Sequence, residues 1–132
     1  MGLTYGIFSS FPDSSLGSGP WVVSVTTNPQ NVDKTINATL EVINNYRKQG
    51  ITETELQDAK SSLIGGYLVG LATNPEIASR LVGLEYYQLG LDYFQRRSSL
   101  VQQVTQAQVN QAIQNYFKTD KLTISMAGAV QP

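Results

Sequence analysis

What most constrains the fold of this chain is a change of hydrophobic period at Asn28. Before it apolar residues alternate, after it they recur at the three- and four-residue spacing of amphipathic helices, and alternation returns at Leu122. Leu3, Tyr5 and Ile7 occupy alternate positions in an aromatic and β-branched stretch from Leu3 to Phe11, the pattern of a half-buried strand. On that pattern alone Tyr5 is a strand tyrosine packing into its sheet. Trp21 to Thr27, with Val-Val-Ser-Val at its heart, is a second strand. The Ser-, Gly- and Pro-rich run from Pro12 to Pro20 between them is a turn-forming loop, so the two strands form an antiparallel hairpin.

The helical stretch is punctuated by local signals. A first helix from about Asn31 to Lys48 places Val32, Ile36, Leu40, Ile43 and Tyr46 or Arg47 on one stripe and stops at Gly50, a natural left-handed C-terminal position. Thr52 with Glu55 is a capping box flanked by the staple pair Ile51 and Leu56, so a second helix begins at Thr52 or Glu53 and carries Leu56, Ala59, Leu63, Tyr67 and Leu71 inward. Asn74 is the expected cap of a third helix opened by Pro75, with Ile77, Leu81, Leu84 and Tyr87 facing the core and Gly90 ending it. Asp92 with Gln95 is expected to cap a fourth through about Val104. Thr105 with Gln108 repeats the box and opens a fifth that buries Val109, Ile113 and Tyr116 or Phe117. Leu122 to Ala127 then reads as a closing strand.

The order strand, strand, four or five helices, strand specifies an α+β fold, an antiparallel sheet with helices packed on one face. Residues 1–132 read as a single domain, with no internal repeat and no interior boundary. Three strands are a thin sheet for five helices, and a strand that starts at residue 3 leaves an edge with nothing before it. Sheet partners are therefore expected from the N-terminal side.

Composition excludes whole classes of chemistry. The chain has no cysteine and no histidine, hence no disulfide, thiolate nucleophile, imidazole base or sulfur- or imidazole-ligated zinc. Ten carboxylates against nine Lys and Arg give a net charge of −1, which provides no basic face for nucleic acid. The longest apolar stretch, Leu63 to Ala72, is about half of a ~20-residue bilayer span and is broken by Gly65, Gly66 and Gly70, so no membrane segment is expected. Met1 to Phe11 carries no signal-peptide pattern; no compartment is legible, and a soluble protein of bacterial cytoplasm or periplasm fits equally.

Most candidate groups have structural roles. Glu53 and Glu55 lie in a first helical turn, where they cap and favour the helix dipole. Adjacent Arg96 and Arg97 point to different sides of a helix, so a solvated face is expected rather than an anion clamp. Gly65, Gly66 and Gly70 lack the Lys-Ser/Thr and preceding strand of a phosphate loop and fit close backbone packing. Tyr86-Tyr87 and Tyr93-Phe94 read as core and rim aromatics. No constellation for an independent enzyme is present.

The opening Gly2-Leu3-Thr4-Tyr5, the Gly/Ser/Pro loop, the hydrophobic strand, the helix of about twenty residues, the segment Gly50-Ile51-Thr52-Glu53-Thr54-Glu55-Leu56 and the closing stretch Thr123 to Gly128 together resemble the carboxy-terminal-type domain of the pitrilysin-like zinc peptidases. That family includes insulin-degrading enzyme and the mitochondrial processing peptidase, and the resemblance covers essentially the whole chain. It implies two similar domains that close like a clam around a peptide. One bears zinc through an inverted His-x-x-Glu-His motif; a chain without histidine resembles the other, non-zinc domain. The resemblance implies no cofactor in this chain, with zinc expected in the partner domain, and a peptide substrate bound between them.

In that other domain an arginine and the tyrosine of Gly-Leu-x-Tyr reach the substrate. Tyr5 matches the tyrosine, whose phenol would donate a hydrogen bond to the scissile carbonyl oxygen as charge develops on it. Leu3 and Tyr5 are the implied substrate-binding residues. The family's arginine lies seven residues earlier, which here falls before residue 1, and the family domain is longer on that side, so the chain is expected to be truncated there. The expected partners are a zinc-bearing homologous domain or subunit and a peptide, with no nucleic acid and no membrane; the exposed sheet edge would allow a homodimer in isolation. The runner-up is a non-catalytic scaffold or assembly subunit of the same fold.

Overall fold

β-Branched and aromatic residues pair as the sequence demands. In the computed structural model, which describes residues 2–12, 17 and 19–128, β1 (Thr4–Ser10) runs antiparallel to β2 (Val22–Thr27) in a two-stranded sheet. Five helices follow: α1 (Val32–Gln49), α2 (Glu53–Val69), α3 (Asn74–Tyr86), α4 (Tyr93–Gln103) and α5 (Gln106–Tyr116). The α+β order of strand, strand and helices therefore stands. The loop read at Pro12 to Pro20 falls partly on residues 13–16 and 18, which lie outside the described residues. Among the described residues no helix is long and apolar enough to cross a membrane.

The chain divides into two compact units, Met1–Gly50 with Asn110–Pro132, and Ile51–Val109. Among the described residues of the first, Ile43 of α1 and Ile113 of α5 are the buried hydrophobic residues, and Thr35 is buried too. Val32, Ile36 and Leu40 of the expected stripe are half-buried. Phe117 collects an aromatic cluster: Trp21 at 4.3 Å between ring centroids, Phe11 at 5.9 Å and Tyr46 at 6.0 Å, the last two edge-on. A 3₁₀ turn at Thr119–Lys121 follows, and Thr119 Oγ1 donates to Asn44 Oδ1 of α1 at 2.8 Å. Gly50 ends α1 with φ 68° and ψ −161°, a region only glycine occupies at low cost, and a Cβ there would lie 2.5 Å from Asn110 Oδ1.

The expected closing strand does not form. Leu122–Ala127 belongs to no strand, and none of the backbone hydrogen bonds among the described residues reaches it. A strand exists only as half of a ladder, and here the segment faces β2 across a cavity instead of lying beside it.

In the second unit Leu56, Tyr67 and Leu84 form the buried apolar set, and Lys60 is buried with them. Ile77, Leu81 and Tyr87, expected in the core, are exposed, as is Leu63. The second-helix box is present: Thr52 N–H donates to Glu55 Oε2 at 2.7 Å and Glu55 N–H to Thr52 Oγ1 at 3.2 Å. The Thr105–Gln108 box is likewise closed, at 2.8 and 3.3 Å. The third helix is capped by Thr73, not Asn74, because a box with Glu76 satisfies two N–H groups where Asn74 could satisfy one. Asp92 makes no cap bond; its carboxylate pairs with Arg96 at 2.9 Å. Gly65 and Gly66 have open space where a Cβ would stand, so close packing does not explain them.

The third helix ends at Tyr86, four residues before the expected Gly90. Leu89 N–H donates to Leu84 C=O at 2.9 Å and Gln88 N–H to Glu85 C=O at 3.1 Å, a Schellman arrangement that puts Gln88 at φ 53°. A side chain in that conformation costs about 1–2 kcal/mol. Allowing for glycine's larger unfolded-state entropy, Gln88→Gly is expected to stabilise the chain by about 0.5–1 kcal/mol in urea unfolding; a loss of stability would contradict this account of the helix end. The Thr52 N–H and hydroxyl hold the Glu55 carboxyl below its ordinary 4.5. Because the folded value is the lower one, the box supports α2 at pH above about 4.5 and is lost as the pH falls through the folded value. A carbon-13 NMR titration should place the Glu55 midpoint below 4.5, and Thr52→Ala, which removes the hydroxyl but keeps the larger contribution of the backbone N–H, should raise it only part of the way back.

Candidate functional site

The site is built at the start of β1 by a polar relay. Thr35, buried on the first turn of α1, lies 3.1 Å from Thr27 Oγ1, and that hydroxyl donates to Leu3 C=O. With the Thr27 proton engaged, the hydroxyl of Thr35 must be the donor between the two. Three segments are thus tied together within two residues of Tyr5: the entry to β1, the end of β2 and the first turn of α1.

Tyr5 stands in a break of register. Thr4 pairs with Thr27 and Gly6 with Thr26, so two steps along β1 oppose one along β2 and Tyr5 is the extra residue of a β-bulge. A bulge re-aims the side chain it carries. Tyr5 is accordingly 81% exposed, which corrects the expectation that it packs into the sheet. Its neighbour Gly6 carries the only sequence trace of this, since glycine inside a strand pattern marks bulges. Leu3 points the other way: half-buried, it lines with Ile7, Val23, Ala38, Val42 and Ile43 a cleft of about 520 Å³ against α1. Leu3 and Tyr5 therefore do not share a surface, although they are two residues apart.

The remaining polar groups serve packing. Arg97, expected on a solvated face, stacks over the Tyr67 ring at 4.1 Å and donates to Leu63 C=O at 3.0 Å, while Arg80 lies 5.2 Å from the same ring. Arg96 pairs with Asp92 and donates to Leu89 C=O at 2.6 Å, so the two arginines form no clamp. Lys60, which the sequence reading passed over, donates to Gln102 C=O in the last turn of α4 at 2.9 Å. Its place four residues after Leu56 on the inward stripe was the available signal. Among the described residues no group of three or more His, Cys, Asp and Glu could hold a metal ion.

Comparison with known proteins matches this architecture. The sequence profile described as the peptidase M16 inactive domain matches residues 1–63. A crystal structure of a peptidase M16 inactive domain from Pseudomonas fluorescens superposes with a TM-score of 0.76 at 32% identity, covering 91% of this chain and 28% of that one. The chain belongs to the pitrilysin-like peptidase family, as its inactive, non-zinc domain. Within the M16 relatives, proteins named uncharacterized zinc proteases of Mycobacterium bovis and Mycobacterium tuberculosis are 32% identical over 114 residues, 83% of this chain. The chain spans about a quarter of the length of these curated relatives. In this inactive M16 domain the described residues do not fit a zinc ion, and zinc chemistry is not assigned to them.

The relay is testable through stability. Thr27→Val leaves Leu3 C=O and the buried Thr35 hydroxyl without their partner, and should lower the unfolding free energy by about 1–3 kcal/mol in urea titration. Thr27→Ser, which keeps the hydroxyl, should recover most of that; equal losses in both would exclude the hydrogen bonds as the cause.

Proposed function

We propose that this chain is most of the non-zinc lobe of a pitrilysin-like metallopeptidase, inactive alone, and that it helps to bind and position peptides opposite a zinc-bearing partner domain. The observation that carries the reading is Tyr5: it belongs to the Gly-Leu-x-Tyr opening and is 81% exposed on a bulge braced by the Thr35–Thr27–Leu3 relay. The exposed phenol would donate a hydrogen bond to the peptide carbonyl oxygen undergoing attack, an electrostatic contribution that is largest when the donor is held in place beforehand. Leu3, on the cleft against α1, would take an apolar part of the peptide on a different surface from Tyr5. The zinc and its ligands would come from the partner domain, on the same polypeptide or another; the relatives named as zinc proteases and the length they have beyond this chain support that division.

A non-catalytic scaffold of the same fold is the competing reading. Assaying the peptidase assembled from this domain and its zinc-bearing partner separates the two. Tyr5→Phe should lower kcat by about 100- to 1000-fold with the assembly intact, the usual effect of losing one donor to a developing oxyanion. Unchanged turnover would remove Tyr5 from the mechanism, and an intact wild-type assembly without hydrolysis would select the scaffold.

A further inference from the structure

A strand shows alternate residues to opposite faces, and β2 does so strictly. Val23, Val25 and Thr27 are half-buried on the face turned toward α1, while Ser24 and Thr26 are exposed on the other. The register sets Phe8 opposite Ser24 and Gly6 opposite Thr26, so both belong to the outer face. Tyr5, the extra residue of the bulge next to Gly6, is likewise absent from the lining of the Leu3 cleft. Phe8 is thus a large apolar side chain on an outer face otherwise made, around it, of Gly6, Ser24 and Thr26.

Its ring has a defined place there. A Cβ at Gly6 would lie 3.3 Å from Cε2 and 3.8 Å from Cζ of Phe8, so the ring leans back along β1 over Gly6, toward Tyr5. Phe8 also borders the cleft that holds Leu3 and so reaches both surfaces. Covering Gly6 accounts for the lean but not for the surface left over: Phe8 remains 74% exposed. Among the described residues its ring pairs with no other aromatic ring. A threonine would serve a solvent-facing strand position as well.

We propose that Phe8 selects the substrate: its ring takes a large apolar side chain next to the peptide bond that Tyr5 addresses. This rests on the reading of Tyr5 as the donor to the carbonyl under attack. Successive side chains of an extended peptide point to opposite sides, so only one of the two residues flanking that bond turns toward β1. The Phe8 ring, lying over Gly6 about 3.8 Å along the chain from Tyr5, is placed to meet it. Apolar area removed from water on both partners, and ring-to-ring contact where the ligand is aromatic, favour Phe, Tyr, Leu or Met there over Ala or a charged residue. Tyr5 contacts a carbonyl common to every peptide and cannot discriminate; Phe8 supplies the discrimination.

The test uses the peptidase assembled from this domain and its zinc-bearing partner, with peptides identical except for Phe or Ala just before or just after the cleaved bond. At one of these positions wild-type kcat/KM should be about tenfold higher with Phe than with Ala. Phe8→Thr, which keeps β propensity, should bring that ratio to about 1, whereas Phe8→Leu should retain about half of it. Tyr5→Phe should slow both peptides alike and leave the ratio at about ten. A wild type without preference at either position, or a preference that survives in Phe8→Thr, overturns the inference and leaves the lobe reading standing. If Phe8→Thr does not assemble, carbon-13 ring signals of Phe8 in the zinc-depleted wild-type assembly decide: they should shift on adding the Phe peptide and not the Ala peptide, and equal behaviour overturns the inference. An intact wild-type assembly without hydrolysis, or unchanged turnover in Tyr5→Phe, overturns the reading of Tyr5 and this inference with it.

Discussion

The first unit depends on Phe117. A two-stranded hairpin is marginal in water and persists only where something else covers it. One ring, placed just past the end of α5, touches Phe11 beyond β1, Trp21 before β2 and Tyr46 on α1. Aromatic surface of this size brings the loop end of the hairpin onto the helices without any backbone pairing. The opposite end is held by different means, the hydroxyl relay from Thr35 through Thr27 to Leu3. Apolar contact at one end tolerates small shifts; a hydrogen-bonded relay at the other does not, and Tyr5 stands at the end where position is fixed.

The second unit solves a related problem with cations as well as apolar residues. Tyr67 is buried between helices, yet its ring meets the Arg97 guanidinium at 4.1 Å, and Lys60 lies buried with its ammonium on a carbonyl of α4. The long stems of these cations cover apolar surface while their charged ends meet the Tyr67 ring and main-chain oxygens. Lys60 and Arg97 each bind a carbonyl of a neighbouring helix, so α2 and α4 are joined by side chain to backbone as well as by packing.

Legibility from sequence followed locality. All five helices and the boxes at Thr52 and Thr105 depend on residues within four positions of one another, and the two strands of the hairpin each on their own alternation, so they were readable. The box at Thr73 obeys the same rule but was obscured by Asn74-Pro75, a strong start signal one residue later. The bulge at Tyr5 and the unformed strand at Leu122–Ala127 were not readable, because each is set by what lies across the sheet. Interior and surface were confused on α3, where Ile77 and Leu81 stay exposed although their period is correct. Periodicity assigns a face to a helix; it does not provide the surface that face needs. At the candidate site, the family resemblance selected Tyr5, and its exposure follows from a register break at which only Gly6 hints.

The shallow burial has a thermal consequence. Among the described residues the buried hydrophobic set is Ile43, Leu56, Tyr67, Leu84 and Ile113, and no side chain is fully enclosed. Heat-capacity change on unfolding grows with the apolar surface newly wetted, about +0.45 cal/K/mol for each Å². Such a chain is expected to have a flatter stability curve, and a broader response to heating, than a closely packed domain of the same length. Its enthalpy of unfolding then changes less between cold and warm, and the steeper temperature dependence typical of a well-packed domain of this length would appear once more of its apolar surface is covered.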